Sequence, residues 1–290
     1  MGLILDGKKT SEKIKLELQE KIIQSVKLHD RHPGLSTILV GEDAASKMYV
    51  DMKIKACDQV GITSKSVHLP ENCSFSQLVA AIDEINYMDD IDGILLQLPL
   101  PPHLRNRTDE IVQKISPEKD VDGLSPYTIG LTTMGDETYT AATPKGMIRL
   151  LEEYDIKIEG KEVVIVNRSI IIGKPLVMMF LKRNGTVTVC HTRTKDLDFH
   201  MRRADILVTG VGRVNFVTKD RIKEGVVYID AGINRDEKGK LCGDADFEGI
   251  KDKCTAITPV PGGVGPMTIA MLLENTYLSF LKRIRAEKKA

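Results

Sequence analysis

The sequence predicts an α/β protein of two domains, each with largely parallel strands covered by helices. Three observations predict it. Apolar periodicity switches repeatedly between helical and extended along both halves of the chain. At 290 residues the chain exceeds one ordinary domain. Between about Pro99 and Thr143 the pattern loosens around Pro99, Pro101, Pro102, Pro117 and Pro126, which marks a crossing between domains.

The elements follow in order. A helical stretch from about Gly7 to Leu28 leads to an extended run, Ser36 to Val40, that ends in Gly41. The next helix, about Ala44 to Val60, stops at Gly61, where a glycine cap is expected. Extended Ile62 to Leu69, a helix over about Phe75 to Asn86, and the apolar run Gly93 to Leu98 complete a βαβ rhythm. A helix opens at Pro144, at the position proline favours. The second half then alternates Glu162 to Val166, a helix over about Lys174 to Arg183, Thr186 to Cys190, Asp205 to Val208 and Val226 to Asp230, which is a Rossmann-like pattern. A final helix, about Val264 to Leu281, follows a glycine-proline loop and is expected to return to the first domain. The expected division is therefore 1–143, completed by about 266–290, and 144–265.

Composition narrows the partners. Forty-one basic residues offset 41 acidic ones, so the electrostatic footprint of a nucleic-acid or anionic-membrane binder is missing and a small molecule is expected. The basic ending from Lys282 to Lys289 reads as a solvated helix end. Five cysteines, an odd number without paired spacing, and a start without a long apolar run point to the cytoplasm. No apolar run has membrane-spanning length, and no His/Cys cluster has zinc spacing, so neither membrane nor metal is expected.

Tyr49 and Lys53 are four residues apart in a predicted helix and share one face, which sets a hydroxyl and an ammonium side by side. Gln97 stands where an apolar strand runs into Leu98-Pro99-Leu100-Pro101-Pro102, and open α/β sheets bind ligands beyond the carboxyl ends of strands. Lys119-Asp120-Val121-Asp122-Gly123 puts two carboxylates in a loop; composition reads it as a solvated turn, but a carboxylate in a pocket can receive the donor pair of an amidine-like heterocycle. In the second half the strand ending at Val166 enters Asn167-Arg168-Ser169-Ile170-Ile171-Ile172-Gly173-Lys174-Pro175 and then a helix, a layout suited to anions although G-x-G-x-x-G is absent. Arg168 and Ser169, with Thr192 and Arg193 after the next strand, suit a ribose phosphate and favour NADP over NAD. Gly210-Val211-Gly212 and Asp230-Ala231-Gly232-Ile233-Asn234 follow later strands, where glycine lets a dinucleotide approach the backbone. Pro259 to Thr268 is too rich in glycine and proline to be core.

Together these segments closely resemble the bifunctional methylenetetrahydrofolate dehydrogenase/methenyltetrahydrofolate cyclohydrolase family over nearly the whole chain. The resemblance rests on Ser46-x-x-Tyr49-Val50-x-x-Lys53, Gln97 to Pro101, Lys119 to Gly123, Arg168-Ser169 with Gly173-Lys174-Pro175, and Thr258 to Thr268. It implies two domains flanking a cleft: an α/β catalytic domain with a parallel sheet and a Rossmann-like NADP-binding domain. It implies that Lys53 is the catalytic lysine, that Tyr49 packs on the folate, that Gln97 hydrogen-bonds Lys53 and that Asp122 holds the pterin, with Pro261, Gly262 and Gly263 also at the substrate. Cofactor contacts implied are Asn167, Arg168, Ser169, Thr192, Arg193, Gly210, Gly212 and Ile233. It further implies tetrahydrofolate one-carbon derivatives as substrates, NADP as cofactor and a homodimer through the nucleotide domain.

The chain departs from the family's usual pattern at several positions. Asn167 stands for a glycine, Ser125 and Thr128 for a frequent His and Asn, and Ala141-Ala142 for Pro-Cys. Tyr-x-x-x-Lys also resembles short-chain dehydrogenases, but there the nucleotide motif precedes the catalytic pair. The residues also admit a cyclohydrolase that has lost cofactor use through Asn167, and a nucleotide-binding regulator without turnover.

Overall fold

The computed structural model describes residues 2–287, so residues 288–290 of the basic ending lie outside it. The elements in chain order are β1 (Leu3–Ile4), α1 (Gly7–His29), β2 (Gly34–Val40), α2 (Ala44–Val60), β3 (Thr63–Leu69), α3 (Phe75–Asn86), β4 (Gly93–Leu96), α4 (Pro102–Arg105), α5 (Thr108–Val112), α6 (Pro126–Thr133) and α7 (Ala142–Glu153). There follow β5 (Glu162–Val166), α8 (Gly173–Lys182), β6 (Thr186–Cys190), α9 (Leu197–Arg203), β7 (Ile206–Thr209), β8 (Val226–Asp230), β9 (Asn234–Arg235), β10 (Leu241–Cys242), α10 (Phe247–Ile250), β11 (Cys254–Ile257) and α11 (Val264–Glu287).

The chain divides into two compact units. One holds residues 13–131, 136–142 and 269–287, with a parallel three-stranded sheet in the order β3-β2-β4. β2 is buried along its whole length, as a central parallel strand must be. Ile38, Ile94 and Leu96 pack there with Leu78, Ile82 and Ile85 of α3 in one apolar cluster. Sharp caps fix the helices. Asp43 accepts a hydrogen bond from Ser46 N at the head of α2, Gly61 ends it at φ 84°, and Ser74 with Gln77 forms a capping box on α3.

The other unit holds residues 2–12, 132–135 and 143–268. Its six strands are all parallel, in the order β1-β11-β8-β7-β5-β6, with a short antiparallel β9-β10 pair beside them in sequence. From β5 the chain goes outward to β6 and then back to β7, which makes the β5/β7 gap the point where strand order reverses. This unit departs from the expected division at its start. Leu3 and Ile4 pair with Ala256 and Ile257, so residues 2–12 belong with the nucleotide-type sheet and not with the segment that follows them. The cause is backbone pairing: the outer edge of β11 accepts a sixth strand, and Lys8 N also donates to Gly262 O.

Candidate active site and dinucleotide seat

Lys53 sits in the middle of α2, one turn after Tyr49 and one turn before Cys57. Its Nζ donates to Gln97 Oε1 at 3.0 Å. Gln97 follows the carboxyl end of β4, where Gln97 N donates to Ile38 O of the neighbouring strand. Its amide nitrogen donates to Leu98 O at 2.7 Å, which leaves the carbonyl oxygen to face the lysine. Burial pushes the lysine pKa below its ordinary value, while the nearby Asp122 charge opposes that shift. The Cys57 thiol is pushed up to about 12, first by burial and then by Asp58, so it stays a thiol.

Asp122 is recessed, and its carboxyl is raised to about 6: burial dominates, Lys53 pulls the value down and Asp120 pushes it up. The loop that carries it is pinned by three residues. Lys119 is buried and donates to the carbonyls of Ile85, Asn86 and Met88 at the end of α3. Asp120, 2% exposed, accepts from Gly123 N, Leu124 N, Ser125 N and Thr128 Oγ1. Asn275 of α11 donates to Val121 O at 2.8 Å and Thr140 O at 3.0 Å. Gly123, at φ 73°, lies so close to Thr140 and Ala141 that a Cβ there would meet Ala141 N at 2.4 Å. The solvated-turn expectation for this loop is therefore corrected: one carboxylate is spent on shape and the other left beside the lysine. Ser125 and Thr128 serve the Asp120 hub.

Tyr49, Lys53, Gln97 and Asp122 all belong to the first unit, whereas Pro261, Gly262 and Gly263 belong to the second, beside its N-terminal residues. Gly7 approaches Gly263 so closely that a Cβ on Gly7 would meet Gly263 O at 1.9 Å. Among the described residues no group of three or more His, Cys, Asp or Glu could hold a metal ion. Likewise, no described helix is long and apolar enough to cross a membrane.

In the second unit Asn167, Arg168 and Ser169 follow β5, Thr192 and Arg193 follow β6, Gly210 and Gly212 follow β7, and Ile233 follows β8. All these loops leave the carboxyl ends of parallel strands. Arg168, Thr192, Arg193 and Ile233 are exposed, and Gly212 adopts φ 69° with Asn234 Oδ1 4.0 Å from where a Cβ would stand, so an anionic dinucleotide fits this set of donors and glycines. The head of α8 differs from the expected anion site. Gly173 N donates to Asn167 Oδ1, Lys174 N to Ser169 O, Ile172 N to Ser169 Oγ, and Pro175 has no N–H. Ser169 Oγ also donates its hydrogen to Asn167 Oδ1 at 2.8 Å. The amides of Ser169, Ile172, Gly173 and Lys174 are thus already bonded within the loop.

Two carboxylates that sequence reasoning passed over support these loops. Asp230, at the end of β8, accepts from Gly232 N, Asp244 N and Ala245 N, and burial raises its carboxyl to about 6. Asp244, fully buried, accepts from Val211 N at 2.7 Å, Arg213 N at 3.1 Å and Asn234 Nδ2 at 3.0 Å. Their only sequence signal is an Asp beside the Gly232 and Gly243 positions, where a Cβ would strike the carboxylates.

Residues 5–122 match the tetrahydrofolate dehydrogenase/cyclohydrolase catalytic-domain profile, and residues 141–284 match the NAD(P)-binding domain of the same enzymes. The chain belongs to the tetrahydrofolate dehydrogenase/cyclohydrolase family. Among the relatives of this dehydrogenase/cyclohydrolase chain, the bifunctional protein FolD of Sulfurihydrogenibium sp. is 51% identical over 97% of this chain and 99% of its own. That of Methanoculleus marisnigri is 49% identical over 95% of each. The crystal structure of the bifunctional FolD enzyme from Campylobacter jejuni superposes with a TM-score of 0.93 at 47% identity, covering 98% of this chain and 100% of that one. The Trypanosoma brucei dehydrogenase-cyclohydrolase, solved with NADP and an inhibitor, gives 0.93 at 34% identity, covering 98% and 99%.

Proposed function

We propose that this chain oxidises 5,10-methylenetetrahydrofolate to 5,10-methenyltetrahydrofolate with NADP and then hydrolyses that product to 10-formyltetrahydrofolate. The observation that carries it is the Lys53–Gln97 hydrogen bond beside a recessed Asp122, in a chain whose two halves match the catalytic and NAD(P)-binding domains of such enzymes.

The folate-binding and catalytic part corresponds to the unit with residues 13–131, the cofactor part to the unit with 143–268. Bound NADP supplies the hydride acceptor for the first step. The chain's contribution there is alignment, with Arg168, Thr192 and Arg193 holding phosphate and Gly210, Gly212 and Ile233 lining the backbone approach. Asp122 accepts the paired donors of the pterin, Tyr49 packs on the ring, and Pro261 to Gly263 contact the substrate. In hydrolysis a water adds to the cationic methenyl carbon and loses a proton; the carbon–N5 bond then breaks as N5 takes up a proton and the added hydroxyl gives up its own, which leaves the formyl group on N10, and Lys53 moves these protons. Its burial eases loss of the ammonium proton, and Gln97 holds the nitrogen in one orientation.

The protein acts as a cytoplasmic homodimer, in keeping with five free cysteines and with β6, an outer strand whose exposed Thr186 and Val189 need cover. It needs neither nucleic acid nor membrane. Its product feeds purine, methionine and histidine synthesis. One coupled assay tests the reading: with methylenetetrahydrofolate and NADP, reduced cofactor should appear first and formyl product afterwards. Consumption of methenyl substrate with no cofactor reduction would leave only a cyclohydrolase.

A further inference from the structure

Glycines follow β7 at Gly210 and Gly212, so the loop there has little intrinsic stiffness. It is nevertheless held from both sides. Asn167 Nδ2 donates to Gly210 O at 2.7 Å, across the β5/β7 gap where strand order reverses. The same carboxamide accepts from Ser169 N at 2.8 Å, Ser169 Oγ at 2.8 Å and Gly173 N at 3.1 Å, so one side chain binds the turn after β5 to the loop after β7. From the other side Asp244 takes Val211 N and Arg213 N, and it joins them to Asn234 beyond β8. Successive residues, Gly210 and Val211, are gripped by different side chains that come from far apart in sequence.

We propose that Asn167 and Asp244 are positioning residues that lock the loops after β5, β7 and β8 into one preformed dinucleotide seat. The inference rests on the cofactor reading above and deepens it. A glycine at position 167 has no side chain to span the β5/β7 gap, so the bond to Gly210 O and the three bonds onto the side-chain oxygen would be lost. Here the ordering precedes binding, so less of the binding free energy is lost to it. Neither residue needs to touch the cofactor, and the effect of each is transmitted through neighbouring loops.

The test uses the full chain without cofactor, followed by amide hydrogen exchange, together with NADP binding measured by calorimetry. Asn167→Ala should speed exchange at least tenfold both in 167–173 and in 210–213, and weaken NADP at least tenfold. Asp244→Asn should speed exchange in 210–213 and 232–235 together. Acceleration confined to the mutated residue's own loop, or NADP affinity unchanged in Asn167→Ala, overturns the lock. If wild type itself fails to bind NADP while the paired exchange response holds, the lock stands and the cofactor reading falls.

Discussion

Around Lys53 the polar groups are few, recessed and shifted in their titration; around Gly210 they are many and mostly bonded to one another. Both regions lie at the carboxyl ends of parallel strands, next to a reversal in strand order, so the fold alone does not account for the contrast. The first region keeps an amine and a carboxylate partly out of water, which alters proton affinity. The second spends its side-chain amide and carboxylates on backbone N–H and C=O groups, which fixes shape, and leaves charge to exposed arginines. The proposed roles follow that contrast: proton movement in the first region, a large anion held still in the second.

The sharpest way to break this contrast is Lys53→Met. General acid–base catalysis contributes about 10²–10⁴-fold, so hydrolysis of methenyl substrate should fall by roughly that factor while NADP affinity changes little. Wild-type consumption of methenyl substrate in this variant would remove Lys53 from the chemistry.

A second comparison uses pH. The Asp122 carboxyl, raised to about 6, is charged above that pH and neutral below it. With the charged form as the proposed acceptor of the pterin donors, folate affinity should decline as pH falls through 6, about tenfold per unit well below it, and Asp122→Asn should be uniformly weak without this limb. NADP binding should show no dependence on Asp122 in the same range. An identical acid limb in Asp122→Asn would assign it to another group.

The smallest effect is expected from Arg168→Gln. Loss of one exposed guanidinium from the phosphate set should weaken NADP roughly tenfold at low salt and less at high salt, because exposed charges are screened. Equal loss of NADP and NAD affinity would place Arg168 at a phosphate shared by both, instead of the ribose phosphate.

Local signals made much of this legible. α2 has the predicted bounds because Asp43 and Gly61 cap it, and a helix of those bounds puts Tyr49 and Lys53 on one face. Gln97 stood out because a polar residue ends the run Gly93 to Leu96. β11 escaped notice: Cys254-Thr255-Ala256-Ile257 has neither a long apolar run nor a clear alternation, and its place comes from pairing with β8 and β1. Asp120 and Asp244 escaped for a different reason. A carboxylate in a loop normally faces water, and what makes these two organisers is their burial against amides, several of them distant in sequence. Asn167 was visible as a departure from glycine, but its bond to Gly210 required the three-dimensional arrangement.

The pairing of Leu3 and Ile4 with Ala256 and Ile257 brings together strands separated by nearly the whole chain. A contact of such long sequence separation closes a very large loop, so the first strand emerges from the ribosome long before the edge it joins and has to wait without its partner. The six-stranded sheet therefore becomes complete only late in synthesis, when β11 has emerged to pair with β8 on one side and β1 on the other.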